Sequence, residues 1–83
     1  MLYQTLATLP LYGRAYIDTL DIPGDLRRRL LDLGFTPGNM VTPLFRSPLG
    51  DPTAYAVMGS IIALRRADAE AIRVIPAKKE ESQ

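Results

Sequence analysis

The chain contains no cysteine, no histidine and no tryptophan. Without Cys there is no disulfide, no thiolate metal centre and no thiol nucleophile. Without His the side chain best suited to proton transfer near neutral pH is missing, together with the commonest transition-metal ligand. Only hard oxygen ligands remain, and these favour Mg²⁺ or Ca²⁺ over tightly held Fe²⁺, Zn²⁺ or Cu²⁺. The expectation is no cofactor and no intrinsic metal centre, with any metal in a crystal held weakly by exposed carboxylates. Charge of one sign is also scarce: ten basic residues against nine acidic ones leave a net charge of +1. No long-range field of the kind that dominates nucleic-acid binding follows from that balance. No apolar run approaches the length of about 18 residues that a membrane-spanning helix needs, and no signal peptide is visible at Met1-Leu2-Tyr3-Gln4-Thr5. The expected location is the cytoplasm, with no membrane insertion.

What is present describes one small globular domain. Its 83 residues are 47% apolar, with a mean hydropathy of +0.02. A chain of this size buries only about 60–65% of its unfolded surface, so the core must be compact. Apolar residues open the chain at Leu2, Leu6 and Leu9. Over residues 11–20, Leu11, Ala15 and Ile17 alternate with Tyr12, Arg14, Tyr16 and Asp18, the pattern of a strand with one buried face. Asp21 is then a candidate N-cap, with Pro23 in the first helical turn and Asp25 placed for the helix dipole. Leu26, Leu30 and Leu33 at i, i+4 and i+7 form a core-facing stripe, which predicts a helix over about 23–33. Gly34 stands where a left-handed C′ residue belongs, and Phe35 can pack back on the last turn.

Short strands follow. Thr36-Pro37-Gly38-Asn39 fits a type II turn. Residues 40–46 read as a strand with Val41 and Phe45 on one side, and Pro43 requires it to be bulged or at an edge. Thr53, Tyr55 and Val57 alternate with Ala54, Ala56 and Met58, Gly59-Ser60 reads as a tight turn, and residues 61–64, ending at Leu64, make another strand. Residues 66–71 have room for a helical turn, 73–75 for a last strand, and residues 77–83 form a polar tail after a domain of residues 1–76. About five strands, one inserted helix and a short helical turn describe a mainly β protein, a small β-barrel.

Two turns carry the functional argument. In Ser47-Pro48-Leu49-Gly50-Asp51-Pro52 the two prolines stiffen the chain around an apolar Leu49, a shape suited to contacting a partner. The same turn could serve only to close the barrel, with Asp51 capping its own backbone. The turn at 33–38 offers Phe35, Pro37 and Gly38 as a second contact, or serves as scaffold. Arg27-Arg28-Arg29 fan out by about 100° each on a helix and so form no single basic face. Arg65 and Arg66, read as strand residues, point opposite ways, and Arg65 is a candidate anchor for a carboxylate or carbonyl. Tyr3, Tyr12, Tyr16 and Tyr55 lack the paired spacing of a base-stacking platform. No nucleophile with a partner base is evident, so no enzyme is expected.

Taken in order, Arg28-Arg29-Leu30-Leu31-Asp32-Leu33-Gly34-Phe35-Thr36-Pro37-Gly38, Val41, the turn 47–52, Ile62-Ala63-Leu64-Arg65-Arg66, and Ala69, Ile72 and Val74 resemble the FeoA family. The resemblance runs from about Leu9 to Ile75, and departs at Pro43 and at Thr53, where a larger apolar residue is usual. It implies an SH3-like barrel with an added helix. It also implies a role as accessory to FeoB, the Fe²⁺ transporter. Joined to the reading of the two turns, this gives docking on the cytosolic side of FeoB through Pro48, Leu49, Gly50, Asp51 and Pro52, with Phe35, Pro37 and Gly38 as the second contact. Leu26, Leu30, Leu33, Gly34, Val41, Leu64 and Arg65 then carry the structural motif. A regulatory domain partnering a metal-dependent transcriptional repressor and a generic peptide-binding SH3-like module are the alternatives. Weak self-association stays open, as does whether docking activates, inhibits or assembles the transporter.

Overall fold

The computed structural model describes residues 4–77. The tail from 78 onward and Tyr3 lie outside the described residues. The chain forms β1 (Gln4–Thr5), a 3-10 turn (Leu6–Thr8), β2 (Ala15–Leu20), α1 (Gly24–Leu33), β3 (Met40–Arg46), β4 (Thr53–Val57), β5 (Ser60–Leu64), α2 (Arg66–Ala69) and β6 (Ile72–Pro76). Six strands, rather than about five, make one antiparallel sheet in the order β1-β6-β2-β3-β4-β5. The additional strand is the two-residue β1, too short to show an alternation in the sequence. Among the described residues the sheet curls around its core without a β1–β5 ladder to close it. Ala77, expected in the tail, donates its N–H to the Arg14 carbonyl at 2.9 Å.

The inner face of the sheet carries Ala15, Ile17, Val41, Tyr55, Val57, Leu64, Ile72 and Val74, all buried, and Leu6, Leu9, Leu30 and Phe35 cover it from the 3-10 turn and the helix end. Two bulges decide which residues face inward. On β2 the register shifts between Ile17 and Thr19, so Leu20 rather than Thr19 turns into the core. The stretch before Ala15, expected as strand, is instead a turn in which Tyr12 has φ 68° and donates its N–H to the Pro43 carbonyl at 2.8 Å. On β3 the register shifts between Pro43 and Phe45. Val41 and Pro43 are buried, while Phe45 is 57% exposed instead of sharing Val41's face. Proline lacks the N–H a regular ladder would use, and the bulge beside Pro43 accommodates it within a central strand.

The helix starts one residue later than expected. Pro23, not Asp21, occupies the N-cap, without a side-chain hydrogen bond, and Asp25 lies in the first turn. Leu30 is buried and Leu26 and Leu31 pack against the core, but Leu33 is 37% exposed and leaves the apolar stripe. The helix ends in a Schellman motif: Phe35 N–H bonds the Leu30 carbonyl at 3.0 Å and Gly34 N–H the Leu31 carbonyl at 3.1 Å. That geometry needs Gly34 at φ 115°, where a side chain is strained.

Candidate partner-docking surface

Loop 47–52 joins β3 to β4 and is tied to itself by short bonds. Gly50 N–H bonds the Ser47 carbonyl at 2.8 Å, and Ser47 N–H bonds the Pro52 carbonyl at 3.0 Å. The Ser47 hydroxyl donates to the Asp51 carbonyl at 2.6 Å. Ser at the first position, Pro at the second and Gly at the fourth are the residues of a type I turn, and Gly50 continues it at φ 90°. Leu49 is left at the tip, 95% exposed, with Pro48 exposed beside it and Gly50 and Pro52 half-buried at the base. Asp51 fastens the loop to α2: its Oδ1 accepts the Arg66 N–H at 2.8 Å, and its Oδ2 lies 3.9 Å from Arg65 Nη1. Arg65 is the α2 N-cap residue and Arg66 its first residue, so the two are not the strand pair expected from the sequence.

The turn at 33–38 is at the other end of the molecule. It leads into β3 at Met40, whereas the Leu49 loop leaves β3 at Arg46, a span of roughly 20 Å for seven residues of strand. Asn39 holds this turn by donating its Nδ2 to the Gly34 carbonyl at 2.9 Å and to Thr36 Oγ1 at 2.6 Å, while Asn39 N–H closes it on the Thr36 carbonyl at 3.1 Å. Pro37 and Gly38 are exposed, with Gly38 at φ 94°. Phe35 is 0% exposed and belongs to the core, so it presents nothing to a partner. The neighbour of this turn is the β4–β5 turn, in which Met58 (φ 49°) and Gly59 (φ 79°) fill the tight positions and Ser60 already pairs with Val57. Gly59-Ser60 is thus corrected to Met58-Gly59.

Around the Leu49 loop the ladder gathers residues that sequence spacing kept apart. Arg46 pairs with Thr53, and Thr53 with Leu64, the residue before Arg65. A shallow cleft results, lined by Ala7, Arg46, Gly50, Thr53, Tyr55 and Arg66. The Tyr55 phenol is pushed above its ordinary pKa, chiefly by burial, against the lowering effects of its hydrogen bond with Thr53 and of the Arg46 and Arg66 charges. Arg46 and Arg66 were not among the expected contacts. The signal for Arg46 was only its place next to the loop, and nothing local marked Arg66 as its neighbour. Among the described residues no group of three or more His, Cys, Asp or Glu could hold a metal ion, and no helix is long and apolar enough to cross a membrane.

The FeoA domain profile matches residues 4–76, nearly all of the described chain. The chain belongs to the FeoA family. A Porphyromonas gingivalis protein named as a fusion of Fe²⁺ transport protein A with the Fe²⁺ transporter FeoB is 36% identical over 69 residues, covering 83% of this chain and 8% of that protein. The present chain thus spans only a small fraction of that relative's length. FeoA from Chlorobium tepidum superposes with a TM-score of 0.86 at 33% identity, over 90% of this chain and 71% of that one. Stenotrophomonas maltophilia FeoA, solved with zinc and described as a procaryotic SH3 domain protein, gives a TM-score of 0.74 at 32% identity, over 86% and 88% of the two chains. The curled six-stranded sheet is therefore an SH3-like FeoA domain, built around the Schellman turn and the Asp51-clamped loop.

Proposed function

We propose that this FeoA domain is a small non-enzymatic cytosolic adaptor that docks on the cytosolic side of FeoB and supports or regulates Fe²⁺ uptake. The observation that carries this reading is the P. gingivalis relative, in which an FeoA segment and FeoB share one polypeptide. A covalent link of this kind holds two partners at an effective concentration in the mM range, which favours pairs that work in contact. The non-enzymatic part is supported by the lack of His and Cys. It is supported too by a cleft whose cavity volume of about 10 Å³ is far below the roughly 300–1,000 Å³ usual for a substrate pocket.

The contact itself is the loop 47–52. Its internal hydrogen bonds and its Asp51 clamp fix the tip before binding, which removes part of the ordering cost of association. Burying Leu49 in a partner pocket contributes about 1.5–3 kcal/mol, and an aspartate there adds a desolvation cost. Leu49→Asp should therefore weaken FeoB capture by at least about a hundredfold. Since Leu49 is 95% exposed, the melting temperature should not change. Pull-down of FeoB from detergent-solubilised membranes on the immobilised domain, with a circular dichroism melt of the same variant, tests both statements. Full capture by a folded Leu49→Asp variant would remove the loop from the interface. The Pro37-Gly38 turn is reached only by a partner that extends along the whole of β3.

A further inference from the structure

Among the described residues, two arginines beside the Leu49 loop have no carboxylate to answer them. Asp51 at the base of the loop is already engaged, with one oxygen on the Arg66 amide and the other toward Arg65. Arg46 and Arg66 line the same cleft as Gly50, and both charges act on the Tyr55 phenol. Both residues are exposed. In water such charges repel each other weakly and cost little. The situation changes when a partner covers Leu49. Arg46 ends the strand that leads into the loop and Arg66 donates to the loop's own Asp51, so a surface that buries Leu49 displaces water from both. A charge desolvated without a counter-charge is strongly disfavoured, so an uncharged apolar patch is a poor occupant.

Resting on the docking reading above, we infer that the Leu49 surface takes a protein segment carrying carboxylates on either side of an apolar residue. The carboxylates meet the guanidiniums of Arg46 and Arg66, and the apolar side chain covers Leu49. Arginine forms planar, two-pronged contacts with carboxylates, which gives such a segment orientation as well as attraction. The ladder sets the neighbourhood: Arg46 pairs with Thr53, and Thr53 with Leu64, two residues before Arg66.

The test is capture of FeoB on the immobilised domain, measured as apparent affinity across a sodium chloride series from about 50 to about 500 mM, over which the Debye length falls severalfold. Arg46→Glu and Arg66→Glu are each expected to lower capture by tenfold or more, and the parent's capture to fall steeply with salt. Arg28→Glu, on the exposed side of α1, serves as the charge control and is expected to bind as the parent does. Circular dichroism melts of each variant confirm that the fold is retained. If Leu49→Asp abolishes capture while the Arg46 and Arg66 reversals and salt leave it unchanged, docking stands and the acidic segment is overturned. If the parent captures nothing, or Leu49→Asp and the reversals all bind as the parent does, both readings fall. Phosphatidylserine vesicles without transporter form the second arm. Binding to them that is lost in the same Arg46 and Arg66 variants would assign the arginines to lipid headgroups and overturn the protein segment.

Discussion

Replacing Gly34 with alanine sets three effects against one another. The backbone at φ 115° is strained for any residue with a Cβ, at a cost of about 1–3 kcal/mol. The new methyl would stand 2.9 Å from Met58 Cγ and 3.0 Å from Met58 Cβ. Met58 is 67% exposed, so its Cγ can swing away, but its Cβ moves only with the β4–β5 turn. This overpacking adds about 1 kcal/mol. In the opposite direction, alanine restricts the unfolded chain and recovers about 0.4–1 kcal/mol. The destabilising effects win, leaving a net loss of about 1–3.5 kcal/mol from a domain whose whole stability is about 4–12 kcal/mol. The melting temperature should fall by about 5–25 °C, followed by circular dichroism, with a lower urea midpoint at unchanged slope. A second substitution separates the causes. Met58→Gly removes both contacting atoms and relieves the positive φ at that position, so in its background Gly34→Ala should cost about 1 kcal/mol less. A Gly34→Ala variant that melts within a degree or two of the parent would refute the argument from φ. A cycle with no coupling to Met58 would refute the argument from contact.

Leu30→Ala should cost about 2–5 kcal/mol, because Leu30 is 2% exposed and lies beneath the Schellman turn; a near-parental thermal melt would show that the cavity collapses without loss. Tyr55 links stability to alkaline pH. Its folded pKa is raised above the ordinary 10.0 of the unfolded chain, so its contribution is whole below that value and is lost as pH rises through the folded pKa. Parent and Tyr55→Phe urea midpoints should therefore converge above about pH 10, where the unfolded phenol ionises first; an unchanged gap between them would exclude the linkage. Isothermal titration with Fe²⁺ at micromolar concentration should show no stoichiometric tight site, since the chain offers neither His nor Cys and its described residues hold no acidic cluster; one tight Fe²⁺ per chain would overturn this.

The local features were legible in the residues alone. Proline and glycine punctuation located loop 47–52 and the Gly34 helix stop, because φ restrictions act within one or two residues whatever surrounds them. The 3.6-residue spacing of Leu26 and Leu30 located α1, and the alternation from Thr53 to Val57 located β4. Register was left to the tertiary structure. The bulges at Asp18 and Leu44 arise where strands must fit neighbours distant in the chain, and they decided that Leu20 points inward and Phe45 outward. The same holds for exposure at the ends of elements. Leu33 and Phe35 are both apolar and two residues apart, yet the Schellman turn sends Phe35 into the core and leaves Leu33 in water. The proposed docking surface depends on both levels. Leu49 was legible because a stiff turn needs no partner to define it. The arginines were not, because only the β3–β4–β5 ladder brings Arg46 beside Arg66, twenty positions further along the chain.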